Sequence, residues 1–308
     1  MSTRILSTSP LVGPALAELG ARFPDLRIEP FRSAKWNLAL PSAEALVVML
    51  SEPITPADLD QAPKLKVIGT YSVGVNHLPL DACKARGIAV VNTPGVLTDA
   101  TADLALTLLL AVTRRVREGE ALARSGQWKG WAPDQLLGPS LAGKTCGILG
   151  SGPIGQAMAR RVQALGMTPR FWDRQGHGGE VDFGAGRALR QPLDELLPSS
   201  SVLSLHCPLT EQTRNLLDRA ALEQLPAGAV VINTARGGVL NEQAALDLLQ
   251  SGHLGGVGLD VYEGEPAIHP AWFTAPRTVL LPHLGSATTE TREAMARLLC
   301  DGLALALG

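Results

Sequence analysis

The chain has 308 residues, of which 45% are hydrophobic and 18% are charged, with 32 glycines and 22 prolines. This composition predicts a globular protein that has a sizeable core and many turns. Its formal net charge of -2 argues against nucleic acid and anionic membranes as partners.

The cysteine pattern and the N-terminus both favour a cytoplasmic protein. The chain has four cysteines, and they lie far apart at Cys83, Cys146, Cys207 and Cys300. This spacing predicts neither a disulfide framework nor a metal site. The first residues, MSTRILSTSPLVG, lack the long apolar stretch of a signal peptide. The longest uncharged apolar run, residues 104–112, is much shorter than the roughly 20 residues that a membrane helix needs.

Short β-rich runs alternate with helical segments along the whole chain. Several runs are apolar on both faces, as in strands that helices cover on both sides, so the pattern predicts βαβ units and parallel sheets. Residues 99–124 are predicted to form one long helix with Thr98 as its N-cap, and residues 287–307 another. The glycine-rich stretch 176–186 is predicted to be a surface loop. The predicted strands are 5–6, 45–49, 67–70, 88–91, 146–149, 169–172, 202–205, 229–232, 256–259 and 279–281.

Residues 147–155 read GILGSGPIG and contain G-x-G-x-x-G at Gly150, Gly152 and Gly155. A strand-like run precedes this motif, a helix-like run follows it, and Asp173 ends the next strand 23 residues after Gly150. In a dinucleotide site the first glycine permits a tight turn. The second lets a pyrophosphate approach, and the third allows close packing of helix and strand. A purely structural glycine turn is the alternative.

The residues around this motif predict how a cofactor would bind. The helix that begins near Pro153 and Ile154 would offer unpaired N–H groups to phosphates. Asp173 can accept hydrogen bonds from ribose hydroxyls and would repel a 2′-phosphate, which favours NAD over NADP. Arg174 could hold that phosphate instead, so NADP stays an alternative.

Three later strand-like runs deliver polar residues at their ends. Arg236 follows the first run, Asp260 and Glu265 follow the second, and His283 follows the third. In open parallel sheets this edge is where ligands bind. Transfer of a hydride to a ketone requires a proton donor, which a histidine can supply near neutral pH, and a carboxylate can fix its tautomer. An arginine can bind a substrate carboxylate. Each residue alone could equally be an ordinary loop residue.

Seven motifs, in order, resemble those of the D-isomer-specific 2-hydroxyacid dehydrogenase family. They are YSVGVNH (71–77), TDATAD (98–103), GILGSGPIG (147–155), HCPLT (206–210), NTARGG (233–238), GLDVYEGEP (258–266) and LPHLGS (281–286). The resemblance implies that His283 is the acid/base, that Glu265 is its partner and that Arg236 anchors the substrate. It also implies that the backbone of Val73 and Gly74 lines the substrate carboxylate site.

The resemblance further implies the surroundings of the cofactor and the substrate. His206 and His77, which also lie in matching motifs, are expected to be structural. Leu50 and Ser51 would shape the substrate pocket. The cofactor contacts beyond the glycine loop and Asp173 would be Thr98, Cys207, Pro208, Thr234, Ala235, Asp260, His283 and Gly285.

The fold that the resemblance implies is α/β with two doubly wound parallel-sheet domains. A Rossmann cofactor domain, residues 99–285, would be inserted into a flavodoxin-like substrate domain made of residues 1–98 and 286–308. The active site would lie in the cleft between them. A homodimer is the expected assembly.

Residues 125–133, SGQWKGWAP, resemble a Trp-x-x-Trp-x-Pro segment of glyoxylate and hydroxypyruvate reductases. Trp128 or Trp131 would then reach the neighbouring subunit's pocket, or else pack at a dimer interface or in the core. The expected function is the reduction of a small 2-oxo acid to a D-2-hydroxy acid with NADH, with glyoxylate and hydroxypyruvate as the preferred substrates. A phosphite- or formate-type dehydrogenase is one alternative, although formate dehydrogenases carry glutamine where this chain has Glu265. A non-catalytic NAD-sensing protein is another alternative.

Overall fold

The computed structural model describes residues 5–174, 176 and 178–308, which form two compact units. The first unit comprises the described residues up to Leu97 together with Ser286–Gly308, and the second comprises Thr98–Gly285. The second unit is therefore an insertion in the first. The assignment of substrate and cofactor roles to the two units stays a prediction.

The first unit is built on a five-stranded parallel sheet in the order β2-β1-β3-β4-β5. This strand order is that of flavodoxin-like doubly wound folds. The strands are β1 (Ile5–Ser7), β2 (Arg27–Ile28), β3 (Ala45–Val48), β4 (Val67–Thr70) and β5 (Ala89–Val91). The helices are α1 (Ala15–Arg22), α2 (Ala34–Ala39), α3 (Pro56–Asp60), α4 (Leu80–Ala85) and the last helix of the chain, Thr289–Leu307, with a 3₁₀ turn at Leu40–Ser42.

The central strands β3 and β4 are buried at every position because helices cover both faces of the sheet. The last helix packs on β4 at Gly69, where a Cβ atom would lie 2.6 Å from Leu299 Cδ1. Trp36 and Ile68 belong to the apolar layer on the other face. The carboxyl ends of β3 and β4 lead to residues 49–51 and 71–74.

The second unit is built on a six-stranded parallel sheet in the order β13-β12-β11-β10-β6-β7. The chain places β7 on one side of β6 and β10 on the other, so the strand order reverses beside β6, where α/β sheets bind ligands. The strands are β6 (Thr145–Leu149), β7 (Thr168–Trp172), β10 (Val202–Leu205), β11 (Ala229–Asn233), β12 (Leu254–Leu259) and β13 (Thr278–Leu280), with a separate pair β8 (Glu180–Asp182) and β9 (Arg187–Leu189).

Helices cover both faces of this sheet and form two apolar layers. The helices of this unit are α5 (Thr98–Thr113), α6 (Val116–Arg124), α7 (Pro153–Ala164), α8 (Leu193–Ser199), α9 (Arg219–Glu223) and α10 (Glu242–Gln250). The last helix of the chain, Thr289–Leu307 in the first unit, is α11. Two 3₁₀ turns, Gly237–Val239 and Pro270–Phe273, lie in the same unit. The two parallel sheets with helices on both faces confirm the predicted α/β fold class. In the described part of the chain no helix is both long and apolar enough to cross a membrane.

The prediction of one helix over residues 99–124 is wrong. Helix α5 begins at Thr98 itself and ends at Thr113, and α6 begins only at Val116. Arg115 between them has φ of +53°, a left-handed conformation that stops an α-helix. A distant segment meets the chain at this break, where Gly138 lies so close to the Thr113 carbonyl oxygen that a Cβ would come within 1.7 Å of it.

The prediction of a plain loop over residues 176–186 is wrong in part. Strand β8 begins at Glu180 and pairs antiparallel with β9, although the glycines before it are outside any strand. His177, which the same prediction covered, lies outside the described residues. The last helix begins at Thr289, two residues later than predicted, because the Thr288 side chain caps it by accepting from Thr291 N–H.

Candidate active site

The glycine loop joins β6 to α7 at the carboxyl edge of the second unit's sheet. Gly150 has φ of +108°, and a Cβ there would lie 2.8 Å from the His206 carbonyl carbon. A Cβ on Gly155 would lie 2.0 Å from the Gly150 carbonyl oxygen. A Cβ on Gly152 would meet no described atom within 4 Å, so this side of the loop is open. A loop with a tight turn, a close helix contact and an open backbone fits a pyrophosphate.

Helix α7 begins directly after this loop, with Gly152 as its N-cap and Pro153 as its first residue. No side chain accepts a hydrogen bond at this N-terminus. Proline has no N–H, so the first donors of the helix come from Ile154 and Gly155. These donors and the helix dipole suit a phosphate group.

Asp173 follows β7, and its carboxylate is held by residues that the sequence analysis did not identify. Ser151 Oγ donates to Oδ2, and Arg190 Nε donates to the same oxygen over 2.9 Å. Asp173 is almost fully buried. Arg174, the residue expected to compete for a cofactor phosphate, is exposed and donates instead to Gln212 Oε1 over 2.9 Å. Ser151 stands between the predicted glycines, whereas nothing in the local sequence marks Arg190.

His283 and Glu265 form a hydrogen-bonded acid/base pair in the second unit. His283 Nδ1 lies 2.7 Å from Glu265 Oε2, and Tyr262 N–H donates to Glu265 Oε1 over 2.8 Å. Burial opposes ionisation of Glu265. Its hydrogen bond with His283, the charge of that ring and the charge of Arg236 outweigh burial, so the pKa of Glu265 lies below its ordinary value. Glu265 is therefore ionised at neutral pH, which favours the imidazole tautomer with its proton on Nδ1.

Arg236 lies between β11 and a 3₁₀ turn, and Asn233 determines the shape of this loop. Asn233 Nδ2 donates to the Arg236 carbonyl over 3.0 Å, and its Oδ1 accepts from Ala235 N–H at the same distance. Burial lowers the pKa of Arg236, and the charge of Glu265 partly opposes the shift. The guanidinium stays charged near neutral pH because the ordinary pKa of arginine lies far above neutrality. Arg236 and Glu265 are thus close enough to interact electrostatically.

Asp260 holds the loop that carries His283. Its carbonyl oxygen accepts from His283 N–H over 2.9 Å, and its two carboxylate oxygens accept from Leu284 N–H over 2.6 Å and Gly285 N–H over 2.8 Å. Burial raises the pKa of Asp260, and the two backbone N–H groups oppose the shift. Thr101 Oγ1 on α5 donates to the Gly285 carbonyl over 3.1 Å. Three successive backbone N–H groups are therefore directed by one aspartate.

The other predicted cofactor positions follow the ends of neighbouring strands. Cys207 and Pro208 come after β10, and Thr234 and Ala235 come after β11. Thr234 Oγ1 is buried and has no hydrogen-bond partner among the described residues, as expected for a group that awaits a ligand. Burial raises the pKa of Cys207 to about 11, so its thiol is neutral at physiological pH. Thr98 is the first residue of α5.

His206 is held by Ser204, whose Oγ lies 2.8 Å from Nε2 of the ring. Its Nδ1 is inaccessible to solvent and has no partner among the described residues. Burial lowers the pKa of His206 to about 3, so the ring is neutral. A ring that stays neutral and bonds to its own strand suits the structural role expected for it.

The predicted carboxylate site in the first unit follows β4. The carbonyl of Ser72 accepts from Thr93 N–H over 3.0 Å, that of Val73 from Asn92 Nδ2 over 2.8 Å, and that of Gly74 from Ser72 Oγ over 2.7 Å. All three carbonyl oxygens are thus engaged by donors. Because the carbonyl oxygens already accept hydrogen bonds, the backbone N–H groups are the polar atoms of this loop that could bind a ligand. Consecutive N–H groups suit an anion. Asn92 is a contributor that the sequence analysis missed.

Residues Leu50 and Ser51 follow β3, beside the loop that follows β4. His77, expected to be structural, has Nε2 2.9 Å from Thr70 Oγ1. Trp128 and Trp131 are 59% and 82% exposed, so neither belongs to a core. No cluster of three or more His, Cys, Asp or Glu side chains that could hold a metal occurs in the described ranges.

Comparison with known proteins identifies the family. The family model described as D-isomer specific 2-hydroxyacid dehydrogenase, NAD binding domain, matches residues 106–285. The chain belongs to this family. It is 43% identical over 265 residues to a glyoxylate reductase of Thermococcus litoralis, covering 84% of this chain and 79% of the relative. It is 42% identical over 256 residues to a glycerate dehydrogenase of Hyphomicrobium methylovorum, covering 83% of this chain and 80% of the relative.

A solved structure from Thermus thermophilus, that of the TT0316 protein, superimposes with a TM-score of 0.91 at 42% identity. The match covers 99% of this chain and 97% of that one. As a member of the D-2-hydroxyacid dehydrogenase family, the chain is an oxidoreductase with an NAD-binding domain. The predicted family, enzyme class and cofactor class are therefore confirmed.

Proposed function

We propose that the chain reduces glyoxylate or hydroxypyruvate with NADH, giving a product of D configuration where its hydroxyl carbon is chiral. The observation that carries this proposal is the His283–Glu265 pair, with Nδ1 2.7 Å from Oε2, at the carboxyl edge of a sheet whose glycine loop fits a dinucleotide. The names of the relatives, glyoxylate reductase and glycerate dehydrogenase, support the substrate class.

In the proposed reaction the chain must protonate the oxygen of the substrate carbonyl. The nicotinamide, when bound, supplies the hydride that reduces the carbonyl carbon. His283 donates the proton from Nε2, because Nδ1 is engaged with Glu265. The ionised Glu265 stabilises the imidazolium before the transfer and keeps the ring in one orientation. Arg236, which stays charged, binds the substrate carboxylate and polarises the adjacent carbonyl.

The substrate positions of the first unit belong to the same proposal. The N–H groups of Val73 and Gly74 bind the carboxylate, and this role is supported by the engagement of their carbonyl oxygens. Leu50 and Ser51 shape the pocket. Either Trp128 or Trp131 contributes from a second copy of the chain, in a homodimer that stays a prediction. A cytoplasmic location likewise stays a prediction from the sequence.

For the cofactor we propose NADH over NADPH. The buried Asp173 carboxylate accepts hydrogen bonds from ribose hydroxyls and repels a 2′-phosphate. Because Arg174 donates to Gln212, Asp173 is the residue that determines the preference between NADH and NADPH at this position. The glycine loop with Pro153 and Ile154 holds the pyrophosphate. The remaining cofactor contacts are the residues that follow strands β10 to β13 and the start of α5, namely Cys207, Pro208, Thr234, Ala235, Asp260, His283, Gly285 and Thr98.

Steady-state oxidation of NADH and NADPH against glyoxylate, hydroxypyruvate, pyruvate and phenylpyruvate tests the proposal. We expect the highest kcat/KM with NADH and the two small polar acids. His283→Ala should lower kcat by about 10² to 10⁴-fold, as for a general acid, and leave NADH affinity nearly unchanged because the other cofactor contacts remain. Full activity of that variant would remove His283 from the mechanism. Tight NADH binding without turnover on any acid would favour the NAD-sensing or phosphite-type alternatives.

A further inference from the structure

A buried carboxylate behind the proposed active site is not used by the reaction described above. Glu242 is the first residue of α10 and is 8% exposed. Its Oε1 accepts from Glu263 N–H over 2.6 Å, and its Oε2 accepts from the Trp272 indole N–H over 2.7 Å. Trp272 is completely buried. The two oxygens of the Glu242 carboxylate therefore accept hydrogen bonds from two different segments of the connection between β12 and β13.

One of these segments carries Glu265. We call residues 260–266 the Glu265 loop. Tyr262 and Glu263 lie in its middle: Tyr262 N–H donates to Glu265 Oε1 over 2.8 Å, and the next backbone N–H, that of Glu263, donates to Glu242. Tyr262 Oη also donates to the Leu281 carbonyl over 2.9 Å, close to His283 in the chain. The bond to Glu242 therefore restrains the backbone that directs the Glu265 carboxylate.

The same point of the Glu265 loop touches the segment that carries Arg236. Gly237, the next residue, packs so closely that a Cβ there would lie 1.9 Å from the Tyr262 carbonyl carbon and 2.2 Å from the Glu263 nitrogen. Gly237 lies in the 3₁₀ turn that precedes α10. A shift of the Glu265 loop would thus displace the backbone beside Arg236.

We propose that Glu242 is a positioning residue, which holds Glu265 and Arg236 in their working geometry through Glu263 N–H and the Trp272 indole. A carboxylate suits this task because it offers two acceptor oxygens and no donor. An amide in its place would turn an NH₂ group towards one of the two N–H donors. The inference rests on the proposed roles of Glu265 and Arg236. Misplacement of reacting groups by about 1 Å can cost roughly 10²-fold in rate.

Glu242→Gln is the first variant of the test. We expect kcat/KM for the 2-oxo acid, expressed per NADH-binding site, to fall by about 10- to 100-fold, with unchanged NADH affinity. Displaced Glu265 lowers kcat, and displaced Arg236 raises KM. The number of NADH sites comes from a fluorescence titration, so partial unfolding is corrected. Glu195→Gln is the matched control, since Glu195 also lies in the first turn of a helix of this unit but is exposed.

Rescue separates positioning from a general loss of stability. In E242Q/W272F the indole donor is gone, so the amide oxygen can accept from Glu263 N–H and the NH₂ group no longer faces a donor. We expect this double variant to regain most of the kcat/KM that E242Q loses. Should E242Q not fold, E242Q/W272F is compared with E242A/W272F, in which nothing accepts from Glu263 N–H. Equal kcat/KM per NADH site in those two variants would overturn the proposal.

The remaining outcomes separate this inference from the proposed function. The positioning role would be overturned if E242Q had the same kcat/KM per NADH site as the wild type. It would also be overturned if E242Q/W272F had a lower kcat/KM per NADH site than E242Q. His283→Ala is measured in parallel. If it is inactive while E242Q is unaffected, only the positioning role fails. If it retains full turnover, the catalytic role proposed for His283 fails, whatever E242Q does. The proposed function itself fails only if the wild-type protein turns over none of the 2-oxo acids.

Discussion

Asp173→Asn is expected to shift the cofactor preference towards NADPH. The buried Asp173 carboxylate bears one negative charge where a 2′-phosphate would approach. At about 4 Å and an effective dielectric constant of about 20, such a charge contributes about 4 kcal/mol of repulsion. The ion pair with Arg190 at 2.9 Å offsets part of it. If half remains, its loss alone lowers the ratio of the NADPH to the NADH dissociation constant by roughly 30-fold in the variant, and weaker NADH binding lowers the ratio further.

Fluorescence titrations with NADH and NADPH at one fixed ionic strength measure this ratio directly. The NADH dissociation constant should itself rise by about tenfold, because hydrogen bonds to a charged acceptor are stronger than those to a neutral one. Asp182→Asn is the control, since Asp182 is 67% exposed and faces Arg187 at 3.8 Å. An unchanged ratio in Asp173→Asn would refute the argument that Asp173 faces the ribose.

Three further predictions concern the second unit. Glu265→Gln should lower kcat by about 10² to 10⁴-fold with NADH affinity unchanged, because the imidazolium of His283 loses its counter-charge. A kcat equal to that of the wild type, measured by stopped-flow turnover of the variant, would contradict this. Asp260→Asn places an NH₂ group against Leu284 or Gly285 N–H and should lower kcat by about 10- to 100-fold. An unchanged kcat in a variant whose circular dichroism spectrum shows normal folding would disprove this. The pKa of His206 is lowered to about 3, so the unfolded state binds the extra proton and wild-type stability should fall as the pH drops below about 6.5. Urea unfolding at pH 7 and 5 should give a smaller difference for His206→Gln, and an equal difference would contradict the burial of this ring.

The parallel sheets were predictable from their central strands, which are apolar on both faces, whereas the exposed edge strand β2 was not predicted. β3, β4 and β11 are buried throughout, and a run of this kind is visible in one sequence without any knowledge of its neighbours. The break between α5 and α6 was not predictable from periodicity, and Gly138, which meets the Thr113 carbonyl at this break, lies 25 residues away in the chain. Helical periodicity reports local preference, and a long-range contact can override it.

The positions of the proposed active site were predictable for a different reason. The carboxyl ends of parallel strands meet at one edge, so residues such as Arg236 and His283 could be grouped by the strands they follow. The residues that orient them could not be grouped in this way. Arg190 and Asn92 act through single hydrogen bonds to distant segments, at 2.9 and 2.8 Å, and Glu242 acts through two, at 2.6 and 2.7 Å. No spacing rule relates a donor to an acceptor on another strand or helix.

The backbone of His283 explains why Asp260 is needed beside it. His283 has φ of +56°, a conformation that costs a residue with a Cβ atom roughly 1–2 kcal/mol. Glycine would adopt it without strain, but glycine has no imidazole to pair with Glu265. Asp260 restrains this backbone by accepting from three successive N–H groups, one through its carbonyl oxygen and two through its carboxylate. Strain held in this way at a side chain with a chemical partner is typical of functional sites. The left-handed turn is thus the cost of directing the His283 ring towards Glu265.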